Sequence, residues 1–181
     1  MSIKYDKNNK SKFINPQILE LKSHKDRLTK QIHSMDNSLD NNSITGNTLT
    51  LKSSLVEIFS IFEFTIRDII GVHMTFLKLL NELEHRNLLN KEDKENIQII
   101  NLIRNSIIHN NSHFFEIRNI NKEQVEQLDW TFILQTDDNL DYTKSHSIKL
   151  VSYEKFNISN EIIMVMYEII YNTAIKLLKK I

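Results

Sequence analysis

Two residues suited to acid–base and phosphate chemistry, Arg104 and His109, lie five positions apart in the segment RNSIIH. A histidine titrates near neutral pH, so it can donate or accept a proton. An arginine can neutralise the charge that develops on phosphoryl oxygens. The two residue types together are what cleavage of a phosphodiester bond requires.

Arg104 occupies an unusual position for a charged residue. At about 100° per residue, it falls between Ile97, Ile100 and Ile108, in the middle of the apolar arc of a predicted helix. Burying a guanidinium costs free energy unless the group is paired and hydrogen-bonded. We therefore expect Arg104 to meet a carboxylate, a phosphate of a ligand or a water-filled cleft, and a structural ion pair is the plainest of these interpretations.

Glu63 is a candidate partner for Arg104. It lies between Val56 and Phe59 on the flank of an earlier apolar helix and would need a counter-charge if it were buried. Glu63 is also four residues before Arg67, and oppositely charged residues at this spacing are neighbours on a helix. The sequence leaves both pairings open.

His109 lies one helical turn after Asn105, so the two side chains share one surface. The sequence NNS at 110–112 favours the end of the helix, because these residues adopt left-handed or capping conformations. A histidine at a helix C-terminus is also commonly a cap that the helix dipole favours. This structural role is the alternative to a catalytic one.

Apolar residues at spacings of three, four and seven predict the helices that position these groups. Residues 1–12 form a polar leader, and the turn formers at 36–47, which show no periodicity, predict a loop. Gly71 marks either a kink in the second helix or a close contact, and Ser159 is a predicted cap for the last helix. The four helices are expected at about residues 18–35, 48–80, 93–109 and 160–181.

A β-hairpin is predicted at about 130–153. Apolar and polar residues alternate from Trp130 to Leu134, and a β-favouring run at Ile148–Val151 follows a group of turn formers. Two glycines and one proline are too few for a turn-rich β-sandwich. The predicted fold class is therefore all-α, a helical bundle with a short hairpin before the last helix, in a single domain over residues 1–181.

Composition excludes several classes of protein. Cysteine is absent, which rules out disulfides, thiolate metal sites and a cysteine nucleophile, and favours the cytoplasm. No apolar run approaches the roughly 18 residues that span a bilayer, so a soluble protein is expected. Basic and acidic residues are equal at 23 each, so any nucleic-acid site must be local. No phosphate-binding loop, serine-hydrolase motif or metal-ligand spacing occurs, so neither metal nor cofactor is expected.

The segment IRNSIIHNN resembles the Arg-x4–6-His motif of the HEPN superfamily, in its form with a four-residue spacer and a polar residue after the arginine. In that superfamily the motif ends a helix of an up-and-down bundle. An earlier helix often carries an acidic residue in an apolar run, which LVEIFSIFEFTIRDII with Glu63 resembles. The resemblance covers roughly residues 48–181, and the motif is its specific part.

The resemblance implies a metal-independent endoribonuclease in which Arg104, Asn105 and His109 form the catalytic motif and Glu63 supports it. The histidine would assist attack of the RNA 2′-hydroxyl on the neighbouring phosphate, and the arginine would stabilise the phosphorane. Two such motifs usually face each other in a homodimer and form one composite cleft. His113 and Arg118 are weaker candidates for RNA contacts, with solvated surface charge as the alternative for Arg118.

The resemblance also implies a biological role, as a bacterial toxin or an abortive-infection effector against phage, with an antitoxin or another defence-system protein as its partner. No tyrosine closely follows His109, so the His-x-Tyr extension of toxins modified by nucleotidyltransferase antitoxins is absent. Some members of the superfamily have lost catalysis. The alternative is therefore a non-catalytic module that binds RNA, a nucleotide or another protein.

Overall fold

The structure is a computed structural model and describes residues 16, 19–23, 26–27, 30, 41–71, 74–110, 117–118, 121–134, 144–156 and 158–180. The helical residues among 16–30 are called α1. The other helices are α2 (Asn41–Ile70), α3 (Phe76–His85), α4 (Lys91–Asn110) and α5 (Asn160–Lys179). The strands are β1 (Ile117–Arg118), β2 (Gln124–Val125), β3 (Gln127–Leu134) and β4 (Lys144–Val151).

The described part of the chain is mostly helical and carries two small antiparallel sheets, so the all-α prediction fits it roughly. The predicted hairpin is confirmed as β3 paired with β4, with Trp130 opposite Ile148 and Phe132 opposite His146. The pairing of β1 with β2 was not predicted. Each of these strands has two residues, which is too short to produce an alternating pattern.

The core lies where α2, α4 and α5 pack against one another, with α3 and the hairpin against this group. The apolar residues recur at three- and four-residue spacings, as expected for helices that bury one face. None of the helices in the described ranges is long and apolar enough to cross a bilayer. Fully buried members of the core are Leu55, Ile58, Phe59, Phe62 and Ile66 of α2, Ile97, Ile100 and Ile103 of α4, and Ile163, Met166, Tyr167, Ile170, Ala174 and Leu177 of α5.

The start of α2 differs from the prediction. The helix begins at Asn41, so residues 41–47, which were predicted as part of a loop, are helical. Asn, Ser, Thr and Gly each cost about 1 kcal/mol or less in a helix, and extending a helix that is already packed gains a backbone hydrogen bond per residue. Residues 36–40 and the polar leader at 1–12 lie outside the described residues.

The second predicted helix is two helices, because α2 ends at Ile70 and α3 begins at Phe76. Gly71 has a φ of 71°, in the left-handed region, and its N–H donates to the carbonyl oxygen of Arg67 at 2.8 Å. A Cβ at this position would meet nothing within 4 Å, so Gly71 is a helix terminator and not a close contact.

Side-chain caps fix the starts of two helices. Asn90 Oδ1 accepts a hydrogen bond from the backbone N–H of Asp93 at 2.7 Å, at the start of α4. The predicted cap of α5 is confirmed, because Ser159 Oγ accepts from the N–H of Ile162 at 3.3 Å. Both contacts satisfy backbone donors that the helix itself leaves unpaired.

Helix α4 is also tied to its neighbours by polar contacts. Trp130 Nε1 in β3 donates to Oδ1 of the buried Asn96 at 3.1 Å. Lys176 of α5 pairs with Asp93 at 3.1 Å. Lys180 Nζ donates to the carbonyl oxygens of Asn87 and Leu88 at 3.2 and 3.1 Å, so the end of α5 is attached to the turn before α4.

Candidate functional site

Arg104 is half-buried on α4, and its guanidinium lies over an aromatic ring of α2. The guanidinium carbon is 5.8 Å from the centroid of the Phe59 ring, within the range of a cation–π contact. Arg104 Nη1 donates to Asn105 Oδ1 at 2.8 Å. The ring face is the negative region of the ring quadrupole and the amide oxygen is the negative end of a dipole, so both partly compensate the charge of the half-buried guanidinium.

Within the described ranges, Arg104 forms no salt bridge, so the structural ion pair that the sequence suggested is not formed there. Its Nε is sealed from solvent and has no hydrogen-bond partner among the described residues. A buried donor without a partner costs about 1–3 kcal/mol. Arg104 therefore keeps unused donor capacity, because both N–H groups of Nη2 and the second N–H of Nη1 make no hydrogen bond to a described residue.

Glu63 pairs with Arg67 and not with Arg104. Oε1 of Glu63 lies 2.5 Å from Nη2 of Arg67, and Nη1 of Arg67 donates to the carbonyl oxygen of Met74 at 2.6 Å. The local pair forms because residues four apart on one helix are already neighbours. Arg67, which Glu63 pairs with, links the end of α2 to the segment before α3. Of the two pairings that the sequence left open, the structure shows the one with Arg67.

His109 is exposed in the last turn of α4 and has no hydrogen-bond partner among the described residues. The rise of an α-helix over five residues is about 7.5 Å, so His109 lies roughly one and a half turns from Arg104 along the axis. The half-buried Asn105 lies between them. Ile108, immediately before the histidine, is 42% exposed, which is unusual for an isoleucine.

The two weaker candidates have different outcomes. His113 lies outside the described residues. Arg118 is exposed on β1, opposite Gln124 on β2. The cation–π contact of Arg104 is with Phe59 and its side-chain hydrogen bond is with Asn105, so Arg118 does not join them within the described ranges.

Phe59 was expected only as a core residue, and its contact with Arg104 was not predicted. A packing contact between two helices that are far apart in sequence leaves no pattern in either helix. The sole hint is that both Phe59 and Arg104 lie on the buried faces of their helices, and such faces must meet something.

The site therefore combines a restrained arginine, an amide and an exposed imidazole at one end of α4. These groups can neutralise a phosphate, hydrogen-bond to it and transfer a proton. No three His, Asp or Glu side chains in the described part of the chain lie close enough together to hold a metal ion.

Comparison of the chain with known protein families, characterised proteins and solved structures finds no match. The resemblance to the HEPN superfamily consequently stays a prediction from the motif at Arg104–His109.

Proposed function

We propose that the protein is a HEPN-type endoribonuclease that cleaves RNA without a metal ion. The observation that carries the proposal is the arrangement at the end of α4, where Arg104 is held by Phe59 and Asn105 and is followed by an exposed histidine. RNA supplies its own nucleophile, so the protein needs only to align the 2′-hydroxyl, move a proton and stabilise charge.

In this mechanism His109 takes the proton of the 2′-hydroxyl as its oxygen attacks the adjacent phosphorus. The 2′-oxygen–phosphorus bond forms and the bond to the 5′-oxygen breaks, leaving a 2′,3′-cyclic phosphate and, after protonation, a 5′-hydroxyl. Arg104 stabilises the negative charge of the phosphorane, and Asn105 holds the guanidinium. DNA has no 2′-hydroxyl and is expected to resist cleavage.

The test is incubation of purified protein with total RNA in EDTA. Wild type should cut RNA and leave cyclic phosphate ends, and His109→Ala and Arg104→Ala should each slow cleavage by roughly 100-fold or more. His85→Ala is the matched control, because His85 is also exposed in the last turn of its helix, α3. Cleavage that survives in His109→Ala, or that requires a divalent metal, would contradict the mechanism.

The proposal includes a homodimer with one composite cleft. Ile108 supplies an exposed apolar side chain beside His109, and burying it against a second copy would remove that surface from water and bring two motifs together. Ile108→Lys should give a monomer by light scattering and lose cleavage. Ile133→Lys is the control, because Ile133 is similarly exposed, at 44%, but lies on β3. A wild-type protein that is monomeric at assay concentration would exclude the composite cleft.

The resemblance further supports a role as a bacterial toxin or an abortive-infection effector, held inactive by an antitoxin or another defence-system protein. Expression of wild type and of His109→Ala in bacteria tests this role directly. Growth arrest with wild type alone is the expected result, and equal growth of the two strains would contradict it.

A non-catalytic RNA-binding module is the second candidate. One observation favours it: no described residue hydrogen-bonds to the ring of His109, whereas a general base is commonly oriented by a third group. Under this candidate wild type and His109→Ala bind labelled RNA and neither cuts it.

A further inference from the structure

We propose that Phe59 of α2 is the positioning residue for Arg104, holding the guanidinium so that its Nη2 nitrogen faces a ligand phosphate. The contact itself is independent of the activity, while its consequence for catalysis rests on the proposed ribonuclease function. Phe59 touches Arg104 and is not itself expected to touch RNA.

The Phe59 ring is well placed to act as a fixed support. It is fully buried, and it packs in tilted geometry against two other rings, with centroids 6.1 Å from Phe62 and 5.1 Å from Phe76. Aromatic rings prefer such tilted arrangements. Phe76 belongs to α3, so the ring beneath Arg104 is held by residues of two helices.

Three restraints act on Arg104 together. The ring of Phe59 lies against the guanidinium, Asn105 Oδ1 accepts from Nη1, and the surrounding core seals Nε from solvent. A phosphate cannot reach the sealed Nε, so it cannot accept the common pair of hydrogen bonds from Nε and Nη2 on that edge of the guanidinium. Nη2 remains, and the phosphate is expected to bind at the tip of the side chain.

An aliphatic residue in place of Phe59 would fill much of the same volume but would offer no negative ring face. The guanidinium would then lose its main attraction to α2 and regain rotamers that a phosphate must restrict again on binding. A pre-oriented arginine avoids this ordering cost when charge develops in the transition state. Phe59 is thus expected to affect the reaction through Arg104.

Nuclear magnetic resonance tests the contact without any assay of activity. In wild type, side-chain protons of Arg104 should show nuclear Overhauser effects to the Phe59 ring and resonances shifted upfield by that ring. Phe59→Leu should remove the shift, and Phe62→Leu should leave it in place. Phe62 is the matched control, because it is also fully buried on α2 and packs on Phe59, while the cation–π contact of Arg104 is with the Phe59 ring.

Cleavage kinetics test the consequence. Phe59→Leu should lower kcat/KM for RNA roughly fivefold more than Phe62→Leu does, the size expected from loss of one cation–π contact. Equal losses in the two variants would overturn the positioning role. Absence of the Overhauser effects in wild type would overturn the contact, and this measurement stands even if a variant fails to fold. If wild type cuts no RNA, the proposed function fails, while the resonances still decide whether Phe59 holds Arg104.

Discussion

Four side-chain atoms are sealed from solvent with no hydrogen-bond partner among the described residues: Gln98 Oε1, Arg104 Nε, the Tyr167 hydroxyl and Thr173 Oγ1. Each such atom costs free energy, because its hydrogen bond to water is lost on folding. For Arg104 the rest of the guanidinium has a proposed use. The Tyr167 hydroxyl has no proposed role in the candidate site, so its removal should not lower the free energy of unfolding.

We therefore expect Tyr167→Phe to raise the free energy of unfolding by about 1 kcal/mol, because the ring stays and only the unpaired hydroxyl is lost. Urea denaturation at pH 7 measures the change. A loss of stability of that size or more would mean that the hydroxyl has a partner outside the described residues.

Tyr167 also predicts a dependence of stability on pH. Burial raises the pKa of Tyr167 above its ordinary value, because the phenolate would be desolvated. A raised folded-state pKa contributes stability that is fully present below the unfolded pKa of about 10 and is lost as pH rises above it. Urea midpoints between pH 8 and 11 should fall less steeply in Tyr167→Phe than in wild type. Tyr153→Phe, at a residue that is 71% exposed, should follow wild type.

Among the helices, the break between α2 and α3 decides where Phe76 packs, and Phe76 in turn supports the ring beneath Arg104. The break depends on one residue, because Gly71 adopts a φ of 71° that residues with a Cβ adopt only with strain. The direction in which α3 leaves α2 is thus linked to the candidate site.

Gly71→Ala should lower the free energy of unfolding by about 1–2 kcal/mol through backbone strain, since the added methyl meets no atom within 4 Å. Urea denaturation measures the loss. Gly46→Ala is the control of opposite sign: Gly46 lies within the helical residues of α2, where alanine should stabilise by about 0.5–1 kcal/mol. An unchanged stability of Gly71→Ala would show that α2 ends for another reason.

Across the whole molecule, the helices and the hairpin share one core. Phe132 and Leu150 of the hairpin are buried with residues of α2, α4 and α5, and Trp130 is hydrogen-bonded to Asn96 of α4. A two-stranded hairpin is marginally stable alone, so its order depends on the helices that it covers. The hairpin and the bundle should therefore unfold together.

The chain has one tryptophan, Trp130, which makes this expectation measurable. Tryptophan fluorescence reports on the hairpin, and far-ultraviolet circular dichroism reports mainly on the helices. The two signals should give the same urea midpoint, because a single core favours an all-or-none transition. An earlier fluorescence transition would show that the hairpin opens while the helices stay folded.

The sequence by itself determined the elements whose signals are local. Apolar periodicity located the helix ending at the motif, Ser159 marked the start of α5, and alternation marked the hairpin. It failed at residues 41–47, where weak helix formers are recruited by the packed helix that follows, and it left the consequence of Gly71 undecided. These errors arise because local propensities amount to about 1 kcal/mol or less per residue and tertiary packing overrides them.

The candidate site likewise has features that the sequence determined and features that only the tertiary structure decided. The sequence determined that Arg104 lies on an apolar face and needs compensation, because helical periodicity fixes the face of each residue. Only the tertiary structure decided what compensates it, namely Phe59 and Asn105, and that Glu63 belongs to Arg67. Contacts between helices depend on how the helices cross, and side chains far apart in sequence carry no local sign of the partner that they meet.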